Sequence, residues 1–272
     1  MMPPMRIVSW NMNRHGVSAQ RHEEAWDYLR DELKADLALV QEAVPPPRHA
    51  AQVYRAIGEK PYDWGSAVVA FAADATLNPW TRVPLADSLF KHLDKRQLPD
   101  SHPGASAVTD ITLQGQPTLT VASVYGQWEM MPGSKDMYAG PRLHRILSDL
   151  TGVFARRRGA LAVVAGDFNV TTQGMRTKDN EASAVFARLR GWGLADCLWE
   201  SRRDRERLAG CQCADGDDCA HVKTFRTGTH LDYMFASTAL VGAATKCYAE
   251  DTARAWGLSD HCPIVLEFQT TH

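Results

Sequence analysis

The chain has 272 residues, 44% of them hydrophobic and 23% charged, with a formal net charge of −2. That is ordinary for a soluble globular protein, and a chain this long buries a core without staples, so its six cysteines are not needed as a disulfide framework. The near-neutral balance excludes a global attraction to nucleic acid and leaves only local basic clusters, Arg156 to Arg158 and Arg202, Arg203, Arg205 and Arg207, of a kind that usually decorates solvated surfaces.

The opening "MMPPMRIVSWN" has no basic region leading into an apolar stretch, which argues against a secretory signal. No apolar run is long enough to span a membrane. The expected compartment is therefore the cytoplasm, where thiols stay reduced. "MRIVSW" reads as a strand. A helix is predicted from about Ser18 to Lys34, capped by Ser18, with Trp26, Leu29 and Leu33 on one face. "ADLALVQE" is a second strand, so the chain opens as a βαβ-like unit that Pro45 to Pro47 end. "GSAVVAF" (65–71), "SAVTDITL" (106–113) and "LTVASVY" (119–125) read as three more strands, with a polar, turn-rich excursion between Asn78 and Gly104. Pro141 opens the clearest helix, with Leu143, Ile146, Leu147, Leu150, Val153 and Phe154 as its stripe and Gly159 as its stop. "ALAVVAGDFN" is a fully apolar strand. A short helix follows near Asn180 to Arg190, and "LDYMFAS" and "PIVLEF" are two final strands. With no repeat, low-complexity segment or linker, one α/β domain over residues 1–272 is expected.

Polar residues recur where the buried strands end. "RIVSW" runs into Asn11 and Asn13, "LALV" into Gln41 and Glu42, "LTVASV" into Tyr125, and "LAVVAG" into Asp167 and Asn169. Asp232 and the pair Asp260-His261 come just before their strands, so antiparallel strands would present them at the same rim. Ligands of open α/β sheets bind outside the carboxyl ends of strands. Converging carboxylates suit Mg²⁺ or Mn²⁺. A carboxylate can orient or deprotonate a water, and amide and phenol groups can donate to charge growing on phosphorus-bound oxygens. No Gly-rich phosphate loop occurs. Each residue taken alone reads as a turn former or surface acid; their joint recurrence at strand ends carries the reading.

"SWNMN", "LVQE", "SVYG", "AGDFN", "HLDYMF" and "LSDHCPI" occur in that order. Together they resemble the endonuclease/exonuclease/phosphatase superfamily. The resemblance implies a four-layer α/β/β/α sandwich of two packed mixed β-sheets flanked by helices, and metal-dependent hydrolysis of a phosphate ester. Carried over by residue, it implies Glu42 as metal ligand, with Asp260 beside or on the metal and Asn11 hydrogen-bonded to Glu42. Asp167 would orient or activate the water, assisted by Asn169. His261 would contact the scissile phosphate, oriented by Asp232, and Tyr125 would donate to a phosphate oxygen. Asn13 stands where many abasic-site endonucleases carry a metal-binding Asp. Gln127 stands near the amide that those enzymes place after the tyrosine. Tyr125 itself tilts toward the nuclease branches that carry tyrosine there, since deoxyribonuclease I, sphingomyelinases and inositol phosphatases usually carry histidine at that position.

A nuclease acting on DNA or RNA is the leading expectation. The alternative is a phosphodiesterase or phosphatase on a lipid or small molecule, and a third reading is a non-catalytic relative. A nuclease rim needs basic and aromatic groups that track a backbone and stack on bases. Trp128, Lys223 and Arg226, with Phe225, are candidates, as are Trp80 and Arg82 from the excursion. A lipid enzyme would show an exposed apolar hairpin, and the sequence displays none that is evident. No protein partner is inferable.

"CQCADGDDCAH" lies within a Cys/His-rich loop at about 208–224, just ahead of Asp232. Three readings compete: Zn²⁺ held by Cys211, Cys213, Cys219 and His221, free thiols, or a disulfide. Cys197 could replace His221 in space, and Cys262 is expected in the core. Asp215, Asp217 and Asp218 are expected to point to solvent.

Overall fold

The computed structural model describes residues 4–44, 52–55, 63–88, 92–114, 116–130, 133, 137–157, 159–173, 181–202, 211, 213, 219 and 221–269. In chain order its first strands are β1 (Met5–Asn11), β2 (Leu37–Ala43), β3 (Gln52–Arg55), β4 (Gly65–Ala70), β5 (Thr76–Pro79), β6 (Thr81–Pro84), β7 (Gln97–Asp100) and β8 (Ser106–Thr112). They are followed by β9 (Leu119–Tyr125), β10 (Glu129–Met130), β11 (Met137–Tyr138), β12 (Leu161–Asp167), β13 (Leu194–Asp196), β14 (Asp232–Ser237), β15 (Ala244–Ala249) and β16 (Ile264–Phe268). The helices are α1 (Ala19–Asp27), α2 (Leu85–Ser88), α3 (Gly140–Phe154), α4 (Glu181–Gly191), α5 (Cys197–Arg202), α6 (Thr238–Ala243) and α7 (Ala253–Leu258).

Two mixed six-stranded sheets form the centre, in the orders β15-β16-β1-β2-β4-β3 and β13-β14-β12-β9-β8-β5. The opening βαβ unit pairs β1 and β2 in parallel, with Ile7 beside Leu37 and Asn11 beside Gln41. Strand alternation divides the apolar side chains between faces. Ile7, Leu37, Leu39 and Val68 of the first sheet meet Val121, Val163, Ala165 and Met234 of the second in a buried inter-sheet core. The outer face of the first sheet, with Val8, Trp10, Val40 and Val69, packs on Trp26, Leu29 and Leu258. The outer face of the second, with Val108, Val124, Val164 and Phe235, packs on the α3 stripe and on Val185 and Leu189 of α4. This is the expected four-layer sandwich. Each buried Val, Leu or Ile contributes about 1.5–3 kcal/mol, so the three apolar layers hold the sheets in fixed relation.

Ser18 caps α1 by accepting from Arg21 N at 3.2 Å. The predicted helix to Lys34 continues only as a π-helical turn, Tyr28–Glu32. Several expectations need correction. The region between Asn78 and Gly104 is no loose excursion. It holds the end of β5, then β6, α2 and β7. Arg82 is buried there against Asp100 at 2.8 Å and lies 3.7 Å from Asp149 of α3. Trp80 is buried in the α3 layer. Neither is available to a substrate rim. The last two predicted strands are joined by a third, β15, between them. The Pro45 to Pro47 stop, Arg158 and Asn180 lie outside the described residues, as do Arg203, Arg205, Arg207, Asp215, Asp217 and Asp218.

One glycine is required by the backbone around it. Gly166, in "AGDFN", has φ +152, and a Cβ there would sit 1.8 Å from Val124 O of the parallel neighbour β9. Only glycine lets β12 lie this close and still deliver Asp167. Gly166→Ala is expected to destabilise the protein by about 2 kcal/mol or more. Denaturant unfolding checks this, and an unchanged midpoint would show that the neighbouring strand gives way freely.

Candidate active site at the seam between the sheets

The second sheet supplies three site residues in one row. Tyr125, Asp167 and Asp232 are direct cross-strand neighbours, because β9 and β12 pair Tyr125 with Asp167 and β12 and β14 pair Asp167 with Asp232. Their side chains continue the inward-facing positions Val121, Val163 and Met234, so they point at the first sheet as the core runs out.

Asn11 continues the inward face of β1 in the same way. Glu42 does not fit that pattern. Alternation along Val40-Gln41-Glu42 would turn it outward with Val40. The pairing of β2 with β4 slips between Val40 and Ala43, and Glu42 takes φ +46. A left-handed residue at a ladder irregularity re-aims its side chain. The result is a clasp across the seam. Asn11 Nδ2 donates to Glu42 Oε1 at 3.1 Å and to Asp167 Oδ2 at 2.9 Å. Asn169, also left-handed at φ +52, donates its backbone N and its Nδ2 to the two Asp167 oxygens at 3.0 Å each.

His261 enters from the segment before β16. Trp10 Nε1 donates to its carbonyl at 2.8 Å, and Ser259 Oγ accepts from its N–H while donating to Asn11 O. Its Nδ1 lies 2.8 Å from Asp232 Oδ2 and its Nε2 3.7 Å from Asp167 Oδ2. Burial alone would lower this imidazole, but the charges of Asp232 and Asp167 outweigh it and push it up to about 10. Burial pushes the Asp167 carboxyl up, against the opposing charge of His261. Burial and the neighbouring Glu42 push the Tyr125 phenol far up, so it stays a neutral donor, and it bonds Glu42.

The second Glu42 oxygen is buried and lies 2.5 Å from His15 Nδ1. The charges of Glu42 and Asp260 both bear on that imidazole and raise it, with the Glu42 hydrogen bond as the largest cause. The charges of Glu42 and Asp260 meet at His15 and at Tyr125, and carboxylates suit a hard divalent cation, so these two are the residues that could hold one. Asn13 is tied to the clasp by its backbone N, which donates to Asn11 Oδ1 at 3.0 Å. Its Oδ1 accepts from Gly16 N at 3.1 Å, closing a turn in which Asn13 has φ +46.

The sequence of this chain matches the profile of the Endonuclease/Exonuclease/phosphatase family over residues 8–261. The chain belongs to the endonuclease/exonuclease/phosphatase family. It is accordingly a phosphoesterase. No curated protein sequence matches it significantly. Among solved structures it is similar to the endonuclease domain of TRAS1, a telomere-specific non-LTR retrotransposon, with TM-score 0.62 and 17% identity over 99% of this chain and 100% of that one. It is similar to an AP endonuclease from Archaeoglobus fulgidus, with TM-score 0.63 and 18% identity over 98% and 100%. It is also similar to D. rerio TDP2 complexed with single strand DNA product, with TM-score 0.56 and 15% identity over 98% and 99%. At these identities the likeness is one of fold.

Beside the family residues stands a group that the sequence reading passed over. His15 stacks on Trp64, with ring centroids 5.7 Å apart, and Trp64 meets the Tyr125 ring edge-on at 6.0 Å. A lone histidine in "NRHG" and a tryptophan ahead of a strand give no signal until β1, β4 and β9 bring them together. Of the predicted rim residues, Arg226 is exposed, with its backbone N donating to Asp260 O. Lys223 Nζ lies over the Trp256 ring at 4.6 Å. Gln127 accepts from Arg142 at 2.8 Å, so its amide oxygen is engaged by α3. Trp128 is exposed, together with Met130 and Met137 of the β10–β11 hairpin. The exposed apolar hairpin that the sequence did not reveal is therefore present.

The charge on His261 can be measured. A histidine whose folded value stands above 6.5 contributes stability that is complete below its unfolded value and is lost as the pH rises through about 10. In chelator-treated protein, nitrogen NMR is expected to show His261 as imidazolium throughout the neutral range, and Asp232→Asn should bring its titration down. A wild-type titration near the ordinary histidine value would contradict the assigned network.

Proposed function

We propose that this family member is a divalent-metal-dependent phosphodiester hydrolase acting on DNA or RNA by attack of an activated water on phosphorus. The observation that carries the reading is the clasped pair Glu42 and Asp167 with His261 Nε2 3.7 Å from Asp167 Oδ2. A Mg²⁺ or Mn²⁺ ion held by Glu42 and Asp260 would polarise a phosphoryl oxygen and stabilise the leaving alkoxide. Asp167, fixed by Asn11 and Asn169, orients the water and takes its proton; burial makes it a better base than an ordinary aspartate. The water oxygen bonds to phosphorus, the ester P–O bond breaks, and the departing oxygen takes a proton from solvent. The His261 imidazolium and the Tyr125 phenol are donors for the non-bridging oxygens.

A polynucleotide is favoured by the stacked His15 and Trp64 rings beside the cleft, which offer flat faces to a base. The similar structures, two of them endonucleases and one complexed with single strand DNA product, point the same way. The exposed Trp128, Met130 and Met137 favour a second reading, a lipid phosphate ester, because exposed apolar side chains that follow closely after Tyr125 in the chain can seat in a bilayer surface.

The test offers the purified protein supercoiled DNA, single-stranded DNA, RNA and phospholipid vesicles, with Mg²⁺ or Mn²⁺ and with chelator. Metal-dependent cleavage of a polynucleotide is expected. Glu42→Ala and His261→Ala should each lower kcat/KM at least about a hundredfold. Turnover of the lipid alone would overturn the nuclease reading, and full activity in both variants would overturn the site. Trp64→Ala should raise KM for single strands several-fold while leaving the fold intact. If Trp128→Ala with Met130→Ala instead abolishes turnover of vesicles, the second reading holds.

A further inference from the structure

The cysteine-rich loop brings four soft donors to one point. Cys211 Sγ lies 3.3 Å from Cys213 Sγ and 3.4 Å from Cys219 Sγ. His221 Nδ1 lies 3.5, 3.3 and 3.2 Å from the sulfurs of Cys211, Cys213 and Cys219. None of the three cysteines is disulfide-bonded, so no disulfide accounts for the cluster. With Zn–S of about 2.3 Å and Zn–N of about 2.0 Å, the edges of a zinc tetrahedron run to roughly 3.5–3.8 Å. The observed separations are within a few tenths of an ångström of those edges.

The imidazole supplies a second, independent observation. His221 is buried, and its Nε2 lies 2.8 Å from Thr172 Oγ1. If Nε2–H donates to that hydroxyl, Nδ1 is left with its lone pair directed at the three sulfurs. Fixing the ligand tautomer through the other ring nitrogen is how protein zinc sites are commonly built. Cys197, the alternative fourth donor, is not there. It is buried beside Cys247 in the inter-sheet core.

We infer that Cys211, Cys213, Cys219 and His221 bind one structural Zn²⁺, with Thr172 as the partner that orients His221, and that this site pins the two segments flanking His261. One segment is 221–225. Thr224 Oγ1 accepts from Leu231 N and Asp232 N, Thr224 O accepts from Cys262 N, and the Phe225 ring lies 4.8 Å from that of His261. The other is the stretch from Asn169 to Thr172, which leaves the catalytic strand β12. The zinc thus ties together the backbone on either side of the Asp232–His261 pair. The inference does not depend on the substrate, because it rests on ligands outside the cleft.

The experiment is metal analysis of protein purified without chelator, followed by replacement with Co²⁺. About one zinc per chain is expected. The cobalt form should show the visible d–d and near-ultraviolet thiolate-to-metal bands of a tetrahedral thiolate site. Cys213→Ser and Cys219→Ser should lose the metal and the bands. Glu42→Ala should keep both, which separates this site from the catalytic one. Thr172→Val should keep the stoichiometry but weaken zinc affinity about 10–100-fold, a change that a merely structural contact to Thr172 would not produce. Folded protein without zinc and without cobalt bands would overturn the inference. So would zinc that survives in both cysteine variants. Either result stands apart from any failure of the nuclease assay, because the readout is metal content and spectrum.

Discussion

Asn11 holds two carboxylates on a single carboxamide nitrogen, one from its own sheet and one from the sheet packed opposite. Glu42 and Asp167 are both buried, and two buried anions repel each other while each loses hydration. A neutral donor shared between them lowers both costs without cancelling either charge, which leaves the charges for chemistry. The clasp works only if the two sheets keep a fixed separation. That fixity comes from the inter-sheet core below it and from a second polar link, in which Gln41 Nε2 donates to Ser123 Oγ at 2.9 Å and Ser123 Oγ donates to Val40 O at 2.8 Å.

The site then uses backbone strain to place what alternation cannot. Asp167, Tyr125, Asp232 and Asn11 arrive on the inward face by strand parity alone. Glu42 and Asn169 arrive by left-handed turns, a conformation unfavourable for side-chain-bearing residues and affordable only where surrounding contacts fix it. Both strained residues bond to members of the same clasp, so the network that needs them also holds them. Gly166 belongs to this arrangement. It lets β12 approach β9 closely, and Gly126 N donating to Asp167 O at 2.7 Å locks the exit of β9 onto the end of β12.

Much of this was legible in the sequence because apolar strands that end abruptly in Asn, Glu, Tyr or Asp announce both the strand and its rim. The four layers came from the resemblance to the family, while the helical stripe of α3 and the apolar strand β12 marked which faces are buried. The failures have physical causes too. β13 and β15 are short or half-exposed edge strands with no apolar run, and β6 and β7 are made by pairing across residues 85–96 and not by local pattern. Trp80 and Arg82 looked like rim residues because burial and ion pairing with Asp100 depend on α3, far along the chain. His15 and Trp64 were missed for the mirror-image reason: neither is part of a run, and only the parallel β1–β2 pair and the antiparallel β4 bring them beside Glu42 and Tyr125. Asn13 was read from its position in a motif, and its turn, in which Oδ1 accepts from Gly16 N, could not be read from the sequence.

The parts that differ in kind are attached at the parts that cannot move. The β10–β11 hairpin leaves the second sheet just after Tyr125 and Gly126, and Arg142 and Arg145 of α3 brace its base through Gln127 and Glu129. The Cys/His cluster reaches the same sheet through Thr172 on one side and Thr224 on the other. Loops can change composition freely while the strands that carry catalysis stay packed. Each loop here begins or ends within a few residues of a side chain of the candidate site, so under the proposed mechanism a change in the loop would alter what reaches the phosphate without altering how Asp167 meets the water. On that reading the seam fixes the chemistry, and selection among phosphate esters falls to the two elaborations attached beside it.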